Sequence, residues 1–345
     1  MLRQKKYSAF TTLLFSLIPL ILLAGCNKDG VGIFYQIGSE VPQNKSTLSE
    51  RVVHQVLDVG GDIYVLSGQK VFVQSGDDWD DVSGGYLFTS IVTDGTDLFA
   101  TSDSKQILSY EGSAWKEVEK YEDNVLLREA NGAFVLKEGS GGIKSISTSI
   151  GTVATEDFKD SEIDADTYEG QSLRDAAWDG AHGFVALTDK LLGTVFGAAL
   201  SEQAAPDING DFRGLATDGT DFYLSTGGGE LYVGSLDNDS WTWEEPATSF
   251  PEVPVKGALE VVNLDGTKYL LIGTDEGYYE MKLGDSSVVP PSETTTVGNF
   301  SSSYPELARA TIFDIYQVDG STNEFYLATS AGLWLRRNDG TFARQ

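Results

Sequence analysis

The sequence predicts an all-β fold made of repeated hairpins, on three observations. An octapeptide occurs twice in nearly the same form, as Thr93-Asp94-Gly95-Thr96-Asp97-Leu98-Phe99-Ala100 and as Thr217-Asp218-Gly219-Thr220-Asp221-Phe222-Tyr223-Leu224. Glycine is abundant at 38 residues while proline is sparse at 9, and Phe, Trp and Tyr make up 11% of the chain. No stretch carries the apolar period of a long amphipathic helix.

Degenerate copies of the octapeptide extend the repeat. They are Leu57–Leu66, Glu129–Leu136, Trp178–Leu187, Leu264–Ile272 and Val318–Leu327, giving seven in all. Each has an apolar strand, a polar turn centred on Gly, and a strand of aromatic and aliphatic residues. Asp-Gly and Asn-Gly pairs suit such turns because Gly takes positive φ freely and Asx residues tolerate it. A second hairpin follows several copies, running from Val71-Phe72-Val73 to Trp79, from Ile107–Tyr110 to Trp115, and from Leu231-Tyr232-Val233 to Trp241. The unit is therefore four short antiparallel strands. The turn glycines at 60, 95, 132, 180, 219, 266 and 320 are spaced close to the 40–50 residues of a four-stranded blade. Blades set radially cover one another's faces and leave only short edges. The expected architecture is a β-propeller of seven four-stranded blades. Eight is the alternative, because Gly32-Ile33-Phe34-Tyr35-Gln36 precedes the first copy and looks like Gly332-Leu333-Trp334-Leu335-Arg336. That early strand is a candidate to complete the last blade and close the ring.

The amino terminus has the order of an export signal: Arg3, Lys5 and Lys6, an apolar run from Phe10 to Leu23, then small residues before a cysteine. The run is short of the roughly 20 residues a membrane span needs, and Pro19 interrupts it. Leu23-Ala24-Gly25-Cys26 resembles the lipobox of bacterial lipoproteins at all four positions. That resemblance implies cleavage before Cys26, a thioether from its sulfur to diacylglycerol, and acylation of the new amino group. Cys26 is the single cysteine, so it has no partner within the chain for a disulfide. Burying several acyl chains at about 0.8 kcal/mol per CH₂ makes a firm anchor. The expected organisation is a leader at 1–25, a lipidated tether at 26–31 and one propeller domain at 32–345. Asn27 is not the aspartate that holds lipoproteins at the inner membrane of enteric bacteria, so the expected address is the bacterial outer membrane, facing the periplasm or the surface.

Cleavage would take the formal charge from −28 to −31. So acidic a body excludes nucleic acid as a partner, since binding phosphates needs a basic patch that releases counterions. It also keeps the domain off anionic headgroups, held near a membrane by its tether alone.

Candidate chemistry is thin. Only His54 and His182 are present, each inside a repeat, and two histidines without a cysteine partner do not make a typical zinc site. The Asp-Gly-Thr-Asp turns offer carboxylates of the kind calcium takes, yet turn geometry accounts for them without an ion. Glu162–Asp166 lacks the glycine and terminal Glu of an EF-hand loop. Ser235 with Asp237-Asn238-Asp239-Ser240-Trp241 resembles the Asp-box turn of sialidase propellers, without its glycine, and such turns are structural in that family. A sialidase also needs three clustered arginines. Arg51, Arg128, Arg174, Arg213, Arg309, Arg336, Arg337 and Arg344 form no evident set of three. No catalytic, cofactor or metal residue is assigned; the one assigned site is lipidation at Cys26, and Trp79, Trp115, Trp178, Trp241, Trp243 and Trp334 are expected mostly in blade cores.

The expectation is a membrane-anchored, non-enzymatic interaction module that binds another envelope or extracellular protein. In general plan it resembles the propeller lipoprotein of the outer-membrane protein assembly machinery. The alternative is an envelope glycoside or lactone hydrolase with an acidic site in the propeller channel.

Overall fold

A computed structural model describes residue 48 and residues 51–345, apart from 131–132, 139–142, 148–170, 196–200, 204, 209, 238–239, 246–254, 285–287, 290–299 and 319–322. Cys26, the leader and Gly32–Gln36 lie outside the described residues.

Among the described residues seven antiparallel sheets follow one another along the chain, each a meander. The first is β1 to β4 (Val53–Val59, Asp62–Ser67, Lys70–Ser75, Asp78–Asp81) and the second β5 to β8 (Phe88–Thr93, Leu98–Ser102, Gln106–Tyr110, Trp115–Lys120). The third is β9 to β11 (Val125–Ala130, Ala133–Glu138, Ile143–Ser147), and the fourth β12 to β15 (Asp175–Trp178, His182–Ala186, Leu191–Val195, Ser201–Glu202). The fifth is β16 to β19 (Phe212–Thr217, Phe222–Thr226, Leu231–Asp237, Ser240–Glu244). The sixth is β20 to β23 (Val255–Leu264, Thr267–Thr274, Tyr278–Lys282, Val288–Val289), and the last β24 to β27 (Ile312–Gln317, Phe325–Thr329, Gly332–Arg336, Phe342–Arg344). Strands β1, β5, β9, β12, β16, β20 and β24 touch in that cyclic order, and β24 returns to β1. The fold is an all-β propeller.

Two expectations are corrected. Six sheets are complete four-stranded blades, and the third has three strands among the described residues, its outer edge adjoining 148–170. The last blade draws all four strands from its own segment, so it needs no strand from the amino terminus. The ring closes instead by packing and hydrogen bonding of β24 against β1.

The core lies in the seams. Leu66, Phe88, Ile91 and Trp115 form one apolar cluster across the first two blades, and Phe184, Phe212 and Phe222 another across the fourth and fifth. Val53, Phe72, Tyr326 and Leu333 do the same between first and last. Because each sheet is covered on both faces, the second strands β6, β17 and β25 are buried at every residue. Trp79, Trp115, Trp178 and Trp334 are buried, whereas Trp241 and Trp243 are half-buried.

The repeated Thr-Asp-Gly-Thr-Asp turn has a clear cause. Asp94 Oδ1 accepts the N–H groups of Thr96 and Asp97 at 3.0 and 2.7 Å, and Thr93 Oγ1 accepts the Gly95 N–H and donates to Asp97 O. Asp218 and Thr217 make the same bonds in the fifth blade. Gly95 and Gly219 take φ of +89° and +90°, which only glycine adopts cheaply.

Candidate functional site

All seven innermost strands line a central cavity of about 1060 Å³. The first residues of these strands show a shared device. In β1, β5, β16 and β24 the register slips once near the start, leaving His54, Thr89, Arg213 and Phe313 as bulged residues. Arg174 occupies the matching place before β12, its N–H bonding Ala186 O while Asp175 pairs with the same residue. A wider bulge in β20 holds Lys256. Bulges re-aim side chains, and these six surround the cavity at the start of the strands. Cations on the fourth, fifth and sixth blades thus form one arc. Phe313 and His54, in contact at 5.0 Å between ring centroids with their planes tilted by 54°, form the next. Burial lowers the His54 pKa below its ordinary value.

The arginines are coupled through one carboxylate. Arg174 Nη2 bonds Asp211 Oδ2 at 2.7 Å and Arg213 Nη2 bonds Asp211 Oδ1 at 3.1 Å. Lys256 Nζ stands 3.1 Å from Asp275 Oδ2. Gly227 makes room for the pair, because a Cβ there would lie 3.0 Å from Arg213 Nε and 3.1 Å from Asp211 Oδ1.

At three of these places the residue after the bulge stitches one blade to the next. Asp314 Oδ2 accepts the Val56 N–H at 2.9 Å, Asp175 Oδ2 the Leu215 N–H at 2.8 Å, and Gln55 Oε1 the Ile91 N–H at 3.0 Å. The second oxygens of Asp175 and Asp314 accept the N–H groups of Ala176 and Ile315. At the equivalent place in β16 stands Gly214, where a Cβ would come within 2.2 Å of Gly257 O. There the blades meet backbone to backbone.

Deeper in the cavity the wall is acidic. Burial raises Asp314 to about 7, against the pull of the Val56 and Ile315 amides, and raises Asp175 to about 6. Glu260 is held well above the ordinary carboxylate range by burial, with Asp314, Glu129 and Asp175 adding like-charge repulsion. Arg128 works in the opposite direction on both aspartates.

At the opposite ends of the strands a second cavity, of about 480 Å³, is lined by Asp179, Asp218, Asn263, Lys268 and Gln317. Its aspartates are occupied by their own turns, Asp179 Oδ1 accepting from Ala181 and His182 and Asp218 Oδ1 from Thr220 and Asp221. Among the described residues no group of three His, Cys, Asp or Glu side chains is placed to hold a metal. His182, the first residue of β13, has Nδ1 3.2 Å from Asp179 Oδ2 and lies beside Trp241. The Glu162–Asp166 loop is outside the described residues.

The sequence reading missed the arginine pair. A signal was present: His54, Thr89, Arg174 and Arg213 each stand six residues before the turn glycine of their blade, at 60, 95, 180 and 219. Aligning the repeats by those glycines brings the two arginines into one ring position.

No protein-family model and no curated protein matches the chain. Solved structures do resemble it. The extracellular domain of the BT4673 one-component system of B. thetaiotaomicron superposes with a TM-score of 0.59 at 16% identity over 84% of this chain, which spans 38% of that domain's chain. YCF48 from Cyanidioschyzon merolae superposes at 0.57 and 12% identity, over 83% of this chain and 95% of its own. The WD40 propeller domain of Doa1 gives 0.57 at 12% identity, over 86% and 96%. YCF48 has also been solved bound to a D1 peptide, and the similar BBS1N in complex with ARL6DN. At these identities the likeness shows the propeller fold. Among the described residues no helix is long and apolar enough to cross a membrane.

Proposed function

We propose that this protein is a lipid-anchored envelope module that binds another protein at the channel face of a seven-bladed ring, with the sheet β9 to β11 as the blade of three described strands. The observation that carries the reading is the commitment of the channel's aspartates. Asp175 and Asp314 each spend one oxygen on a backbone N–H of the neighbouring blade and the other on the N–H of the next residue in their own strand. A glycosidase needs two carboxylates free to act as acid and as base or nucleophile. Carboxylates used as blade-to-blade acceptors serve the scaffold instead. Support also comes from similar propellers solved with a peptide or a protein bound.

The anchor rests on Cys26 and its lipobox. Cys26→Ser should abolish incorporation of labelled palmitate and leave the precursor uncleaved; palmitate still entering that variant would remove the anchor from the proposal. Crosslinking the lipoprotein in its native envelope should capture a protein at the channel face. Recovery of none, together with turnover of a glycan or lactone panel, would replace the module with a hydrolase.

A further inference from the structure

We infer that the channel mouth formed by Arg174, Arg213 and Lys256 is a carboxylate-binding site that takes an acidic segment of a partner polypeptide. The inference rests on the interaction-module reading and names the chemistry of the partner. Two guanidiniums on adjacent blades share Asp211 as their one carboxylate, each giving it a single Nη2 bond. An arginine carries five N–H donors in a planar fork. The Nε atoms of both are closed off from solvent and lack an acceptor among the described residues. The pair sets two positive charges against the one of Asp211, and its remaining Nη donors, on side chains about a third exposed, are the groups a further acceptor can reach, in a chain whose formal charge is −28. Lys256 on the next blade adds a third cation, balanced by Asp275.

Several observations favour a polypeptide carboxylate over a phosphate. A carboxylate matches the two-pronged geometry of guanidinium and brings one charge. Inorganic phosphate also pairs with a guanidinium but carries no side chain to meet the aromatic surface beside it. The paired rings of His54 and Phe313 provide an apolar surface beside the cations, which suits the side chain next to the bound carboxylate.

The test uses the full-length protein in detergent at physiological salt, where the long-range field of the acidic surface is screened beyond about 8 Å. Fluorescence anisotropy would follow labelled oligo-glutamate with an amidated end, oligo-glutamine with a free end, and oligo-glutamine with an amidated end. Binding of the first marks side-chain carboxylates as the ligand, binding of the second marks the chain terminus, and the third should not bind. Arg174→Gln and Arg213→Gln should each weaken the bound peptide about tenfold or more, as expected for losing a charge-assisted bond. Arg174→Lys should recover only part. Melting curves check that the variants fold, and Lys256→Met, which leaves the Asp211 pair untouched, should weaken binding by a smaller factor. The inference is overturned if no peptide binds, if all three bind alike, if the variants match the wild type, or if inorganic phosphate displaces the peptide at equal concentration. Envelope crosslinking separates the two claims. Equal capture of a partner by wild type and Arg174→Gln sinks the carboxylate site alone, whereas no capture by either sinks the module.

Discussion

Gly214 shows how one side chain's absence sets the spacing of two blades. Its neighbours in the ring, Gln55, Asp175 and Asp314, reach across to the next strand with a side chain, but here the strand itself comes close enough for contact. Gly214→Ala would drive a methyl into Gly257 O, a backbone atom that moves only if β20 moves. The expected loss is about 3 kcal/mol or more, the upper end for overpacking, read as a fall in the urea midpoint with an unchanged slope. A midpoint within experimental error of the wild type would mean that the fifth and sixth blades are not in this contact. The sequence displays Gly214 as one of 38 glycines and gives no hint that it differs from those in turns. The Thr-Asp-Gly-Thr-Asp turns are the opposite case. The bonds that shape them lie within five residues, so the local sequence contains everything needed to find them.

At the scale of a strand, a blade has no core of its own. Phe184 of β13 meets Phe222 of the next blade at 4.8 Å between centroids and Trp241 at 4.9 Å, both edge to face. Phe184→Ala should cost about 3–5 kcal/mol, because a buried ring leaves a cavity that two rigid sheets cannot collapse. Val233, half-buried on β18, should respond far less on shortening to Ala. Both are measured by thermal melting, and similar shifts at the two positions would contradict a core concentrated between blades. The alternating and aromatic-rich runs made these strands legible, and the sites of the inner hairpins follow from the turn glycines. The bulges at Thr89, Arg213 and Phe313 were not legible, since a one-residue slip in register depends on what lies across the strand.

For the whole molecule, closure of the ring puts acids from separate blades around one cavity, and this gives the fold a pH dependence. Burial raises Asp175 to about 6 and Asp314 to about 7, above the ordinary 3.9 that an unfolded chain would show. Between about pH 4 and 7 the native state therefore binds protons that the unfolded state has released, and stability falls as pH rises through that window. The melting temperature should be higher at pH 5 than at pH 8. In Asp314→Asn, which cannot ionise, the difference should shrink although the variant is less stable overall, having lost one acceptor for Val56 or Ile315. An undiminished difference would assign the effect to general surface repulsion.

The sequence by itself determined the hairpins, their turns, the repeat, and the lipobox resemblance at Cys26, because each is written in residues close together along the chain. It also set the acidity of the body, which needs no folding to count. Only the tertiary structure decided which innermost residues face one another. Arg174 and Arg213 are 39 positions apart in sequence and share one aspartate because two blades stand side by side. The contact of the first blade with the last is likewise a property of the ring, fixed when β24 comes round to β1 and Asp314 finds the Val56 amide.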